Sequence, residues 1–178
     1  PFLNYGDGPV TPLFEEFPSM IKAIGSSEAE RKAMFRDPAF RKQFVKEWNH
    51  KAASVFPKAL KEMWVVRSPD PTHPGKNFQQ IGEEAGKDPV VHFMDLLAEH
   101  DTRLRWQCDT SNHREKVRLE LLSYEHCMPG FNDSGAHNVN MAFHDGSLQL
   151  LKTALRFPEQ MSVERAIFRS TKEPADFL

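Results

Sequence analysis

The chain has little of several things that would announce a function. Its 178 residues include only two cysteines, Cys108 and Cys127, which make neither a disulfide framework nor a zinc knuckle. They read as reduced thiols, as expected of a cytoplasmic protein. Basic charge is not in excess either: 23 Lys+Arg against 25 Asp+Glu give a formal net charge of −2. A dedicated nucleic-acid binder needs such an excess to neutralise phosphates, so that class is disfavoured. Apolar runs extend only a few residues, which leaves no membrane span, and no basic-then-apolar leader opens the chain. A Gly-rich phosphate loop, a Gly-x-Ser-x-Gly elbow, a helical His-Glu-x-x-His and a His-x-His pair are all missing. A serine hydrolase therefore has no support. The length itself excludes a complete (β/α)8 barrel, which needs at least about 200 residues.

Proline (13) and phenylalanine (14) are plentiful. Residues 1–25 are punctuated by Gly6, Gly8, Pro9, Pro12 and Pro18 and read as an irregular segment anchored by apolar side chains. Ser27 and Glu30 have capping-box spacing and predict a helix start. Asp37-Pro38 predicts another, carrying Phe40, Phe44 and Trp48 as one apolar stripe that belongs in a core. Residues 62–67 are β-prone, 68–75 form a Pro-rich loop, and Asn77 to Ala85 predicts a helix ending at Gly86. Asp88-Pro89 starts a helix with Val90, Phe93, Met94 and Leu97 on one face. Strands are expected at Leu104–Cys108 and Cys127–Phe131, with helices at about Asn112–Tyr124, Asp145–Phe157 and from Ser162. The chain thus divides into a mostly helical lead-in, 1–58, and an alternating segment, 59–178. Such alternation implies parallel strands joined by helical crossovers, an α/β fold.

The most distinctive stretch is Pro129-Gly130-Phe131-Asn132-Asp133-Ser134-Gly135-Ala136-His137. Asp133 falls just past a predicted strand, where parallel α/β proteins place ligands. A carboxylate there can ligate a divalent metal or take a proton from metal-bound water. An Asx-turn explains the same residue as well. His137 and His144 share the loop, but their spacing fits loop hydrogen bonding better than metal ligation. Cys108 reads as a small buried residue rather than a nucleophile, and Asp109 as part of a helix cap. His92, beside an apolar stripe, reads as a half-buried structural histidine.

The Pro129–His137 stretch is similar to the "PG-x-SD-x-GAH" segment of N-acyl-D-amino-acid deacylases, the D-aminoacylase branch of the metal-dependent amidohydrolase superfamily. The likeness continues in Gly86-Lys87-Asp88-Pro89-Val90 with Asp95-Leu96-Leu97, in Arg36-Asp37-Pro38-Ala39-Phe40-Arg41, and in Met161–Ala166 with Pro174-Ala175. It therefore touches nearly the whole chain. The resemblance implies an excised part of a TIM barrel, about the last three βα units with a helical insertion; the opening at Pro1 rather than Met agrees with that. It implies a hydrolase of acyl amides, N-acyl-D-amino acids in particular, with zinc as cofactor. Asp133 would be the catalytic acid/base and a metal ligand, activating zinc-bound water and passing the proton to the leaving amine. Asn132, Ser134, Gly135 and His137 would shape the loop around the substrate. Asn132 replaces the family's common Ser, and the family's other His and Cys ligands have no counterpart here.

Several expectations follow from that resemblance. The isolated chain should bind no zinc and be inactive, because a catalytic zinc needs about three protein ligands. Its partners would be a small acyl-amide substrate and the remainder of the barrel, with self-association through exposed strand edges. A hydantoinase- or dihydroorotase-like cyclic-amide hydrolase and a non-catalytic α/β interaction module are the alternatives.

Overall fold

The computed structural model describes residues 2–50, 56, 58–111, 114–129, 140–142 and 146–178. The chain divides by packing into two units, Leu3–Thr110 and Ser111–Leu178, the latter joined by Phe2. Residues on both sides of position 58 belong to the first unit.

In the first unit, the breaker-rich opening is ordered rather than irregular. It forms strand β1 (Phe2–Asp7) and helices α1 (Pro12–Glu15) and α2 (Pro18–Ile24). Pro12 and Pro18 each stand at a helix start, where a missing N–H costs nothing. Helix α3 (Glu28–Arg36) has the Ser27/Glu30 capping box in full, with the Ser27 N–H donating to Glu30 Oε2 at 2.9 Å. Asp37 caps α4 (Pro38–Trp48) through the Ala39 and Phe40 amides. A 3-10 turn leads into β2 (Met63–Arg67). Asn77 and Gln80 form the box of α5 (Phe78–Glu84), and Asp88 caps α6 (Pro89–His100). Strand β3 (Arg105–Ser111) then closes the unit.

The three strands lie in the order β2-β3-β1. β2 and β3 are antiparallel, with Met63 opposite Cys108 and Val65 opposite Trp106. On the other side, contacts descend along β3 as β1 ascends. Asn4 reaches Cys108, Asp7 pairs with Arg105, and the Gly8 N–H donates to Leu104 O. That pair is antiparallel too. The expectation of parallel strands with helical crossovers is therefore overturned for β2 and β3. An intervening helix pair is long enough to return the chain in either direction, and sequence order does not reveal which. The outer edge of β2 is not bare: Val65 exchanges backbone hydrogen bonds with Gly75 and Lys76.

One face of this sheet meets the helices through aromatic rings. Trp106, fully buried, lies 6.1 to 6.3 Å from Phe14, Phe78 and Phe93. Phe14 also packs on Phe17 and Phe44, and Trp48 stacks on Phe17 at 5.7 Å. The Phe44/Trp48 stripe is thus core, and Phe40 lies at its margin against Phe35. The indole is locked from the strand side as well. Its N–H donates to Gly8 O at 2.9 Å, and a Cβ on Gly6 would lie 2.1 Å from Trp106 Cε2. Gly8 adopts φ +58°, and its own Cβ would meet Asp101 O at 2.2 Å.

In the second unit, helices α7 (Glu115–Ser123), α8 (Gly146–Arg156), α9 (Val163–Ser170) and α10 (Lys172–Phe177) accompany a short strand, β4 (Met141–Ala142). The core here is Leu150, Ala154, Met161 and Ala166, flanked by Leu122, Leu151 and Val163. Cys127–Pro129 are not in a strand, contrary to expectation. Instead the Cys127 N–H closes a turn onto Tyr124 O at 3.1 Å. The remaining residues of that expected strand lie outside the described residues. Among the described residues, no helix is long and apolar enough to cross a membrane.

The contact between Gly6 and the indole gives a direct test. Gly6→Ala should lower unfolding stability by about 1–3 kcal/mol, the usual cost of overpacking a core, measured by urea titration. An unchanged midpoint would show that the indole yields freely.

Candidate functional site

Asp133 and its neighbours Asn132, Ser134, Gly135 and His137 lie outside the described residues, as does His144. The stem that leads to them is described. It runs from the end of α7 at Ser123 through the Tyr124–Cys127 turn to Pro129.

Other expected residues are placed clearly. Cys108 is buried inside β3 rather than at its end, because the strand continues to Ser111. The Asn4 side-chain amide donates to its sulfur at 3.8 Å. A thiol so enclosed is not a nucleophile for an outside substrate. Both cysteines are free. Asp109 sits in β3 rather than in a helix cap, and α7 is entered from Arg114, not Asn112.

Sequence reasoning missed the charged clusters, because their partners are far apart along the chain. Arg31 grips Asp101 through Nε at 2.8 Å and Nη2 at 2.7 Å, with both groups buried. That hydrogen bonding raises the guanidinium pKa above its ordinary value despite burial. Asp95 receives Arg41 at 2.7 Å and Lys87 at 2.8 Å, with His92 at 3.5 Å. Burial works against ionisation of Asp95, but the hydrogen bonds from Lys87 and Arg41 outweigh it and lower its pKa. His92 is half-buried in this cluster, as its place on α6 implied.

A second cluster joins the 68–75 loop to the end of α6. Ser68 Oγ lies 3.2 Å from His73 Nδ1, and His73 Nε2 lies 3.5 Å from Asp70 Oδ2. The order Ser-His-Asp invites a catalytic reading, but the local bonds oppose it. Ser68 Oγ already accepts the Asp70 N–H, and Asp70 Oδ1 accepts both the N–H and the hydroxyl of Thr72. These are the bonds of a stitched turn. The His73 ring packs edge-on against buried His100, 6.2 Å away. Among the described residues, no group of three or more His, Cys, Asp or Glu can hold a metal ion. The described part of the chain does not by itself fit a catalytic zinc.

Comparison with known proteins gives length rather than activity. The chain is 32% identical over 185 aligned positions to uncharacterized proteins of Mycobacterium bovis and of two strains of Mycobacterium tuberculosis. The match takes in 99% of this chain and 30% of each relative. The chain therefore spans less than a third of the length of the curated relatives it matches. No family model matches it, and no solved structure does.

The His100 environment predicts a pH dependence. Loss of water around the ring lowers its pKa from the ordinary 6.5, with His73 and Arg103 adding to the shift against the opposing Glu99. The unfolded chain takes up this proton near pH 6.5 and the folded chain only at lower pH. Stability is therefore full above that value and falls as pH drops through the window. Asp70 and Asp95, lowered from 3.8, withdraw further stability only in stronger acid. Urea unfolding at pH 7.5 and 5.5 should show the loss in the unmodified chain and a smaller one in His100→Gln. An equal loss in both would assign it to another group.

Proposed function

We propose that this chain is part of a metal-dependent amidohydrolase that cleaves acyl amides, with N-acyl-D-amino acids as the substrate class. The carrying observation is the Pro129–His137 segment, in which an aspartate is set among Gly and small residues in the order found in the D-aminoacylase branch. In this reading Asp133 is the general base that takes the proton of the attacking water. It then returns that proton to the nitrogen of the departing amine. Asn132, Ser134, Gly135 and His137 shape the loop that presents it.

Two observations support a larger catalytic body around this chain. The relatives are roughly three times as long as the chain (99% of it against 30% of each), room for a barrel of about 250 residues. Helix α8 also carries apolar side chains on both faces. Leu150 and Ala154 turn into the core, whereas Leu148 and Leu155 are 65% and 72% exposed. Leu148 and Leu155, seven residues apart, share a side of the helix. A helix apolar on both sides belongs between two layers. In this reading the barrel strands fall after residue 110, and residues 3–110, which hold the antiparallel β2/β3 pair, serve as the insertion. Zinc remains in this proposal only for a polypeptide of the relatives' length, since one carboxylate does not make a three-ligand site.

The test compares this chain with a polypeptide of the relatives' length that contains it, by amidase assay and metal analysis. The longer protein should hydrolyse N-acyl-D-amino acids and hold zinc, and the chain alone should do neither. Asp133→Asn in the longer protein should reduce kcat by about 10²–10⁴-fold with the fold retained. Stoichiometric zinc and turnover by the 178-residue chain would overturn the proposal. Preference for hydantoins or other cyclic amides would replace its substrate class.

A further inference from the structure

The outer edge of β2 is covered by a strap of the same chain, and the strap is anchored by a pair of histidines. After Arg67 the chain turns back through residues 68–76 and lies along β2. The Val65 N–H donates to Lys76 O and the Gly75 N–H donates to Val65 O, both at 2.9 Å. Asn77 then bridges Trp64 in antiparallel register. Without this cover β2 would present bare backbone donors and acceptors beside exposed Trp64 and Val66. Such an edge is a template for pairing with another chain.

Little of the strap reaches the body of the first unit. Pro69, Pro71, Thr72, Pro74 and Gly75 are all exposed. A tie from Lys76 to Glu84 at 2.6 Å lies at the surface, where ion pairs are worth little. His73 is the side chain that turns inward, only 13% exposed. Its ring meets that of His100 edge-on, with centroids 6.2 Å apart. His100 ends α6 and is buried. The anchor is thus one imidazole on another, and imidazole is the side chain whose ordinary charge change falls between pH 5 and 8.

The surrounding charges decide which way acid moves this contact. Asp70 Oδ2, 3.5 Å from His73 Nε2, favours a proton on His73. Around His100, loss of water is the largest influence and opposes a proton. His73 and Arg103 act in the same direction, Glu99 and Asp70 act against them, and the balance lowers its pKa from the ordinary 6.5. The next residue, Asp101, is taken up by Arg31 of α3. Lifting the strap parts the two rings and returns water to His100. The lifted form therefore takes up protons that the docked form resists, and falling pH favours it.

We infer that residues 68–76 form a pH-sensitive strap: the His73–His100 contact holds it on β2 near neutral pH, and protonation of the two rings in mild acid releases it and bares the β2 edge. This device is independent of the amidohydrolase reading.

Amide hydrogen exchange followed by NMR on the 178-residue chain tests it, with rates corrected for the intrinsic effect of pH. Between pH 7.5 and 5.5, protection of the Val65 and Gly75 amides should fall by about tenfold. That is the change for one histidine that titrates near its ordinary pKa when the strap is lifted and stays neutral when it is docked. The opening should be local. At both pH values these two amides should be less protected than those inside α6, and about 0.5 M urea should leave them unmoved while lowering protection governed by global unfolding. His100→Phe keeps a ring but takes no proton, and should reduce the loss to less than about twofold. His100→Gln carries the test if the Phe variant fails to fold. Equal protection at the two pH values in the unmodified chain overturns the inference. So does an undiminished loss in the His100 variant that folds, or a urea response at Val65 and Gly75 as steep as that of α6.

Discussion

The first unit depends on one indole. Trp106 is the second residue of β3, and its ring occupies space that a side chain at Gly6 of β1 would need. Gly6 leaves room for the ring face and Gly8 supplies the carbonyl that takes its N–H. Around this contact Phe14, Phe78 and Phe93 bring α1, α5 and α6 onto one sheet face. Large aromatic side chains supply most of the burial in a core of this size, so the positions of these four rings set where the helices lie. The opposite sheet face carries Trp64 and Val66, both substantially exposed.

Charge is used sparingly and for direction. Asp101 turns the chain out of α6 with φ +47°, a conformation non-glycine residues rarely adopt. It is held there by the two-pronged grip of Arg31, and its carbonyl fills the space that a side chain on Gly8 would need. Backbone strain, a buried ion pair and the indole lock are therefore neighbours in one network. Removing either charge would strand the other at a cost of about 3–5 kcal/mol. In the second unit Arg169, also buried, closes the end of α7 through Leu122 O. Both cases use arginine, whose fork fixes direction as well as charge.

Local signals were legible in the sequence because their physics is local. The Ser27/Glu30 and Asn77/Gln80 boxes and the Asp-Pro starts of α4 and α6 are completed within a few residues. Gly86 follows α5 with φ +64°, as a helix stop should. β1 was hidden for the opposite reason. Gly6 and Gly8 look like breakers until the indole they accommodate, about a hundred residues away, is known. The extent of β3 was also missed, since Asp109, Thr110 and Ser111 favour caps by propensity yet lie within the strand. For the candidate site, the Pro129–His137 segment was legible only as a pattern. Arg169 had no signal of its own, being one of two arginines in an ordinary helix.

Short-range spacing sets where most helices begin, which faces of α4 and α6 turn inward, and the stretch in which a carboxylate is set among small residues. These depend on interactions that span a few positions. Long-range packing sets the rest: β2 and β3 run antiparallel, Gly6 belongs to a strand, and Arg31 and Arg169 are buried anchors. Strand direction, ring packing and buried ion pairs join residues dozens of positions apart. Such pairings are set by which surfaces exclude water together, and no local spacing records them.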